Sequence, residues 1–305
     1  MLGCARSMAS VGVGFPEVNE RHRAAGLAGC GYNWGLSRAS LGVAKLPFAP
    51  VNGIELYYEV HGSGPALVFA HGSGGSHLSW WHQVPFFSQH YTCITFDHRT
   101  FGLTRDGAEP LGRRAFADDL KGLLDHLDIE RVGIVAHSMG GRTGVGFTLR
   151  NPGRVWGLVL SGSNGGSVND ESRQLRAEQD ERDRERPAGT LRGLSPGFME
   201  RNPEETFLYR QIMRLNPRHA PDFLAPAPGF RGSTDERLAE SGVPILYIVG
   251  ENDVIAIPRS IEIAASQIPQ ARLVQVSDTG HSVYYERPER FNQEVLAFLR
   301  EVYGT

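Results

Sequence analysis

A serine, an aspartate and a histidine, each placed just after an apolar run, could together carry out acyl transfer in this chain. Ser138 lies in Val132-Gly-Ile-Val-Ala-His-Ser-Met-Gly-Gly141, an apolar strand that runs into a turn of small residues. A serine hydroxyl is a weak nucleophile until it is held out from the backbone and offered to a base. A sharp strand-to-helix turn does the holding, and Ala136, Gly140 and Gly141 leave room for its strained backbone. The usual pattern is Gly-x-Ser-x-Gly, so Ala136 departs from it by one methyl group. A Ser-Gly pair after a strand also fits an ordinary loop, and the partners decide between the two. Asp253 ends Gly250-Glu-Asn-Asp253 after the buried-strand pattern Val243–Val249, and His281 ends Ser277-Asp-Thr-Gly-His281 after Ala271–Val276. In such a set His281 takes the proton of Ser138, and Asp253 fixes the imidazole tautomer and stabilises the imidazolium. Because His281 must be neutral to act as a base, turnover is expected to rise with pH. Glu251 is the nearest substitute for the acid.

Further strands are predicted at Ala66–Ala70, Tyr91–Phe96 and Val155–Leu160, alternating with helical stretches. That alternation implies a parallel sheet whose strand carboxyl ends share one edge, where residues remote in sequence converge. Asn52-Gly53, between Leu46–Val51 and Ile54–Val60, signals an antiparallel hairpin leading into it. Serine, acid and histidine in this chain order, each beyond a strand, resemble the α/β-hydrolase superfamily from about Val51 to the C-terminus. The serine-nucleophile branch, with its esterases, lactonases and haloperoxidase-like members, is the nearest in pattern. The resemblance implies an α/β-hydrolase fold: a mostly parallel sheet flanked by helices, with a short helical cap insertion.

The resemblance also gives His71-Gly-Ser-Gly-Gly-Ser76 a role, since in the family this turn lends a backbone N–H to an oxyanion hole. Carried over, the donors are the N–H groups of Ser73 and Met139, and losing one such donor typically costs about 2.7–4 kcal/mol of transition-state stabilisation. Asp97-His-Arg-Thr-Phe-Gly-Leu-Thr104 matches a family pattern, Asp-x-Arg-Gly-x-Gly-x-Ser, except at Thr100 and Thr104. Asp97 is the main rival acid, but its place before Ser138 makes the run architectural.

The 305 residues fit one domain at 46–305, preceded by a poorly structured N-terminal extension at 1–45 rich in Gly, Ala and Arg. Leu27-Ala-Gly-Cys30 imitates a lipoprotein cleavage site, yet Glu20-Arg-His-Arg23 stands where an apolar stretch belongs. A net charge of −3 gives no sign of a nucleic-acid partner or an anionic membrane, and no apolar run reaches the ~20 residues of a membrane span. Three cysteines, Cys4, Cys30 and Cys93, make no disulfide framework, which fits a cytoplasmic setting. No His/Cys/Asp/Glu spacing calls for a metal, and no cofactor is expected.

The insertion is expected at about 167–240. Asp170–Arg186 reads as a solvated helix with Glu178–Arg182 and Asp180–Arg184 pairs, and Pro187-Ala-Gly189 breaks it. Asn202-Pro203 reads as an N-cap with proline opening the next helix, whose Leu208, Ile212 and Leu215 share a face, while Phe223 and Phe230 add apolar surface. Trp80 and Trp81, opening a helix at His77–Ser88, are candidates to line the acyl pocket or to pack on the sheet. Arg142, one turn after the nucleophile, is a candidate substrate contact: in family members of menaquinone biosynthesis an arginine at this spacing meets an anionic substrate. The other reading is an ordinary surface arginine. The expected activity is a cofactor-free serine hydrolase acting on an ester, lactone or related carbonyl of a small molecule. The alternatives are a carbon–carbon bond hydrolase or proton-abstracting lyase on an anionic substrate, a perhydrolase, and a slow-turnover ligand receptor.

Overall fold

Asn52 and Gly53 both adopt positive φ, 46° and 77°, the pattern of a two-residue turn whose twist matches paired strands. They join β1 (Phe48–Val51) to β2 (Ile54–His61), which pair antiparallel from Val51 opposite Ile54 outward. In this computed structural model the described residues are 47–304, except 109–110, 188–189, 218, 220–222 and 224–232. The extension at 1–45, with Cys4 and Cys30, lies outside them, as do Phe230 and part of the break at 187–189.

The chain continues through β3 (Ala66–Ala70), a 3-10 turn at His77–Trp80, α1 (Gln83–Phe87), β4 (Thr92–Phe96), α2 (Phe116–His126), β5 (Val132–His137), α3 (Met139–Arg150) and β6 (Val155–Ser161). Four helices follow: α4 (Asp170–Arg184), α5 (Pro196–Arg201), α6 (Pro203–Arg214) and α7 (Asp235–Ser241). β7 (Ile245–Gly250), α8 (Pro258–Ser266), β8 (Ala271–Val276), α9 (Val283–Glu286) and α10 (Pro288–Tyr303) complete the chain. The eight strands form one sheet in the order β1-β2-β4-β3-β5-β6-β7-β8. β2 runs antiparallel to β4, and every pair from β4 to β8 is parallel. The chain moves outward from β3 to β4 and then returns to β5 on the other side of β3. The loops after β3 and β5 therefore diverge at a topological switch point, where such sheets open a crevice.

Strand alternation builds a core on each face. Val68, Ile134, Ala136, Ile245, Tyr247 and Val249 point to the face covered by α2, α3 and α8, with Leu120, Leu124, Val145 and Ile261. Leu67, Phe69, Val135, Leu246 and Ile248 point to the other face, where α10 brings Phe291, Val295, Phe298 and Leu299 at one-turn and two-turn spacing. Leu238 of α7 is buried in the first of these cores. Although α7 falls within the region expected to be insertion, it therefore packs as part of the framework.

α4 ends at Arg184, two residues before the expected Arg186, and Asn169 opens it by accepting a hydrogen bond from Ser172 N at 2.8 Å. Glu178 meets Arg182 at 4.0 Å, whereas Asp180 meets Arg176 at 3.8 Å rather than Arg184. Arg176 is drawn to that side because its guanidinium also donates to Ile255 O. α6 starts at Pro203 as expected, but the Asn202 side chain donates back to Phe198 O at 3.0 Å, closing α5 instead of capping α6. Among the described residues, no helix is long and apolar enough to cross a membrane.

Candidate active site

Ser138 sits between β5 and α3 with φ 50° and ψ −114°, a left-handed strand-to-helix corner that a residue with a side chain rarely adopts. Two hydrogen bonds hold it there: its N–H donates to Ser161 O at 2.9 Å, and its carbonyl accepts from Gly141 N at 2.9 Å. Packing holds it as well. A Cβ on Gly140 would stand 2.2 Å from Ala70 O and 2.7 Å from His71 O, so only glycine lets α3 begin this close to β3. Ala136, in the place of the first glycine, is buried in β5 between Ala70 and Leu160.

His281 Nδ1–H donates to Asp253 Oδ2 at 2.8 Å. Asp253 Oδ1 accepts from the N–H groups of Ile255 and Ala256, both at 2.8 Å. One carboxylate oxygen is thereby fixed by the backbone and the other is aimed at the ring, which leaves the proton on Nδ1 and the lone pair on Nε2. The His281 ring packs 4.7 Å from that of His137, the residue before Ser138. Both Asp253 and His281 are buried. Glu251 is exposed and accepts from Asp278 N at 3.1 Å, so it does not share the site.

A second histidine–carboxylate pair needs separating from this one. His77 Nδ1 lies 2.9 Å from Asp97 Oδ1, and its backbone N–H reaches the same oxygen at 2.6 Å. Asp97 Oδ2 accepts from Leu103 N at 2.8 Å. Burial pushes the His77 imidazole toward the neutral form, but the hydrogen bond and charge of Asp97, with Glu59 behind, raise it overall. Asp97 is thus a clasp joining the loops after β3 and β4. Arg99 is a second clasp, donating from Nε and Nη2 to Asp119, each at 2.6 Å. His71, His98 and His137 are buried, and burial pushes all three below the usual histidine range. Their rings are used structurally: His71 Nε2 accepts from His98 N at 3.0 Å, and His137 Nδ1 donates to Ser161 O at 3.1 Å.

A sequence description of the alpha/beta hydrolase family matches residues 67–294. The chain belongs to the alpha/beta hydrolase family. A relative from Agrobacterium fabrum, provisionally named carbamate hydrolase RutD, is 27% identical over 274 residues, covering 80% of this chain and 98% of its own. Another from Mycobacterium tuberculosis, provisionally named non-heme bromoperoxidase BpoC, is 30% identical over 269 residues, covering 82% and 99%. The structure of an esterase from Thermogutta terrifontis is 27% identical and superposes with a TM-score of 0.69, covering 85% of this chain and 99% of that one. The shared fold and family support a hydrolase, while the differing chemistries of these relatives leave its substrate to be argued from the site.

In this hydrolase Ser138 and Met139 line a cleft of about 330 Å³ together with Arg142, Arg173, Arg176 and Ser163. Met139 is the first residue of α3, so its N–H has no partner within the helix. Ser73 is exposed and lines a smaller pocket on the other side, with Tyr209 and Met213. The two loops nevertheless approach closely: a Cβ on Gly72 would lie 3.2 Å from Ser138 Cβ. Arg142 stands in the cleft wall as expected; it is solvent-accessible, yet protein atoms crowd it on most sides because it lines a cavity. Burial, and then the charge of Arg176, push its guanidinium down. Trp80 must be corrected. It is 0% exposed, with its ring 5.3 Å from Phe69 and 4.9 Å from Tyr284, so it packs in the core. The predicted helix is broken into a 3-10 turn and α1, which turns Trp80 inward and leaves Trp81 exposed. Arg173 and Arg176 were absent from the expected site; their one-turn spacing on a charged helix was the available signal.

The insertion is fastened to the loop that carries His281. Buried Glu286 accepts from Ser195 N and Gly280 N through Oε1, both at 3.0 Å, and from Ser195 Oγ through Oε2 at 2.6 Å. Tyr209 and Ser282 hydroxyls meet at 2.9 Å. Glu286→Ala would strand two backbone donors, at about 1–3 kcal/mol each, so thermal unfolding should show a Tm lower by roughly 2–4 °C per kcal/mol. Glu286→Gln keeps an oxygen for both N–H groups and should recover most of the loss. Burial holds the Glu286 carboxyl above its usual range, against hydrogen bonds that favour its charge. Stability from a raised acid is full in acid and falls as pH rises through the folded-state range. The Gln variant should therefore gain on the wild type as pH rises above the ordinary glutamate range, about 4.3.

Proposed function

We propose that this chain is a cofactor-free serine hydrolase that cleaves an ester, lactone or related carbonyl compound through an acyl-enzyme. The observation that carries the reading is the strained corner at Ser138, φ 50°, combined with a histidine whose Nδ1 is locked onto Asp253. Strain of this kind costs about 1–3 kcal/mol and persists where function needs it. Ser138 Oγ attacks the carbonyl carbon while its proton passes to His281 Nε2, and the carbonyl π electrons move onto oxygen. The N–H groups of Met139 and Ser73 receive that oxyanion. Its collapse breaks the bond to the leaving oxygen, which takes the proton from His281. Water, deprotonated by His281, then attacks the acyl-enzyme, and the acid leaves as Ser138 regains a proton. The insertion of α4 to α6 acts as a cap that shapes the cleft over Ser138.

A fluorophosphonate probe tests this without any assumption about substrate. Intact mass and peptide mapping should show one equivalent bound at Ser138, with matching loss of p-nitrophenyl butyrate hydrolysis. Labelling elsewhere, or full activity after complete labelling of Ser138, would overturn the proposal.

A further inference from the structure

The Ser138 cleft shares Arg142, Gly166, Val168 and Arg173 with a second, larger cavity of about 640 Å³. Its floor is apolar, formed by Phe116, Ala117, Val145 and Leu149. Around that floor stand six arginines, Arg113, Arg114, Arg142, Arg150, Arg173 and Arg237, and no Asp or Glu among the described lining residues. The whole chain has 34 acidic residues against 31 lysines and arginines, so this wall departs from the general balance. Arg150 is paired with Asp118, and Arg173 with Asp170 at 2.5 Å. Among the described residues, Arg113, Arg114 and Arg237 form no ion pair. Arg113 and Arg142 line this apolar cavity together, and burial with the charge of Arg142 pushes Arg113 down to about 10.

We propose that this cavity binds the remote end of the substrate, an acyl compound whose apolar body ends in an anionic oxygen group, carboxylate or phosphate. Apolar carbons lie on Phe116 and Leu149, and the anion meets the guanidiniums of Arg113, Arg114 and Arg237, which supply fork-shaped donors for such groups. As a statement about substrate this rests on the serine-hydrolase reading; as a statement about binding it does not.

The test has a catalytic arm and a binding arm. In the first, kcat/KM is compared for mono-p-nitrophenyl esters of adipic, suberic and sebacic acids against p-nitrophenyl hexanoate, octanoate and decanoate. The wild type should prefer one of the acid-bearing series by about tenfold or more. An Arg113→Gln/Arg237→Gln double variant should lose that preference and keep its rate on the neutral esters within about twofold. In the second arm, Ser138→Ala is titrated calorimetrically with octanoate, octyl phosphate and octanol. Salt-sensitive binding of the anions but not the alcohol, lost when the two arginines are also replaced, supports the proposal, and the tighter anion identifies the headgroup. Anion binding without ester turnover by the wild type supports the cavity and sinks the hydrolase reading. Ester turnover with no acid preference and no anion binding overturns the cavity and leaves the hydrolase reading intact.

Discussion

Ser138→Gly is expected to stop turnover and raise the melting temperature at once. The wild-type corner, φ 50° and ψ −114°, forces a side-chain-bearing residue into a region where its Cβ crowds the backbone. Relief of that strain is worth about 1–3 kcal/mol, and the greater freedom of glycine in the unfolded chain returns roughly 0.5–1 kcal/mol of it. A net gain of up to about 2.5 kcal/mol corresponds to a Tm rise of as much as roughly 10 °C in a domain of this size class. On the serine-hydrolase reading, loss of the Ser138 hydroxyl should lower kcat by as much as ~10⁶-fold. Ser138→Ala is the necessary comparison, because alanine removes the hydroxyl but keeps the Cβ. It should lose the same activity without the gain in Tm. Equal melting temperatures for the Gly and Ala variants would limit the stored strain to about the 0.5–1 kcal/mol that glycine costs through the unfolded chain, and residual turnover in both would remove Ser138 from the chemistry.

The corner was legible because its cause is local: an apolar strand, small residues and a serine stand next to one another in the chain. The same holds for the hairpin at Asn52-Gly53, for β3 and β8, whose limits match the expected runs, and for Asp97, whose role as a clasp follows from its loop. What was not legible depends on meetings between distant segments. Trp80 and Trp81 are equally apolar in sequence, and only the break between the 3-10 turn and α1 decides which faces the core. Arg173 and Arg176 lie on a helix whose composition reads as solvent-facing, because α4 is polar all round. Their orientation toward the cleft is set by where α4 meets the loop after β7, through Arg176 and Ile255 O. Glu286 has no motif at all. Its importance comes from Ser195 and Gly280, which lie 91 and 6 residues away in the chain. Asn202 shows the converse case: its amide NH₂ donates to the last turn of α5, and its side-chain oxygen caps no N–H of α6.

Asp253→Asn should cost about 10⁴-fold in kcat with little change in stability. The direction of the effect follows from which atom goes where. Asp253 Oδ1 accepts two backbone N–H groups, from Ile255 and Ala256, while Oδ2 faces His281 Nδ1. An asparagine amide placed here must keep its oxygen on the two N–H groups, because turning its NH₂ toward them would set donors against donors. The NH₂ then faces His281 Nδ1 and donates to it. That nitrogen becomes the acceptor, the ring proton moves to Nε2, and the lone pair that should receive the Ser138 proton is gone. The fold keeps its backbone hydrogen bonds, so the melting temperature should stay within about 1 kcal/mol equivalent of the wild type. Asp253→Ala differs in kind. It strands the Ile255 and Ala256 donors in a buried loop and should lower stability as well as activity. Steady-state rates on p-nitrophenyl butyrate, measured beside thermal unfolding of both variants, separate the two effects. A fall in kcat of less than about tenfold in the Asn variant would mean that another group orients His281 and that Asp253 is not the third member of the triad.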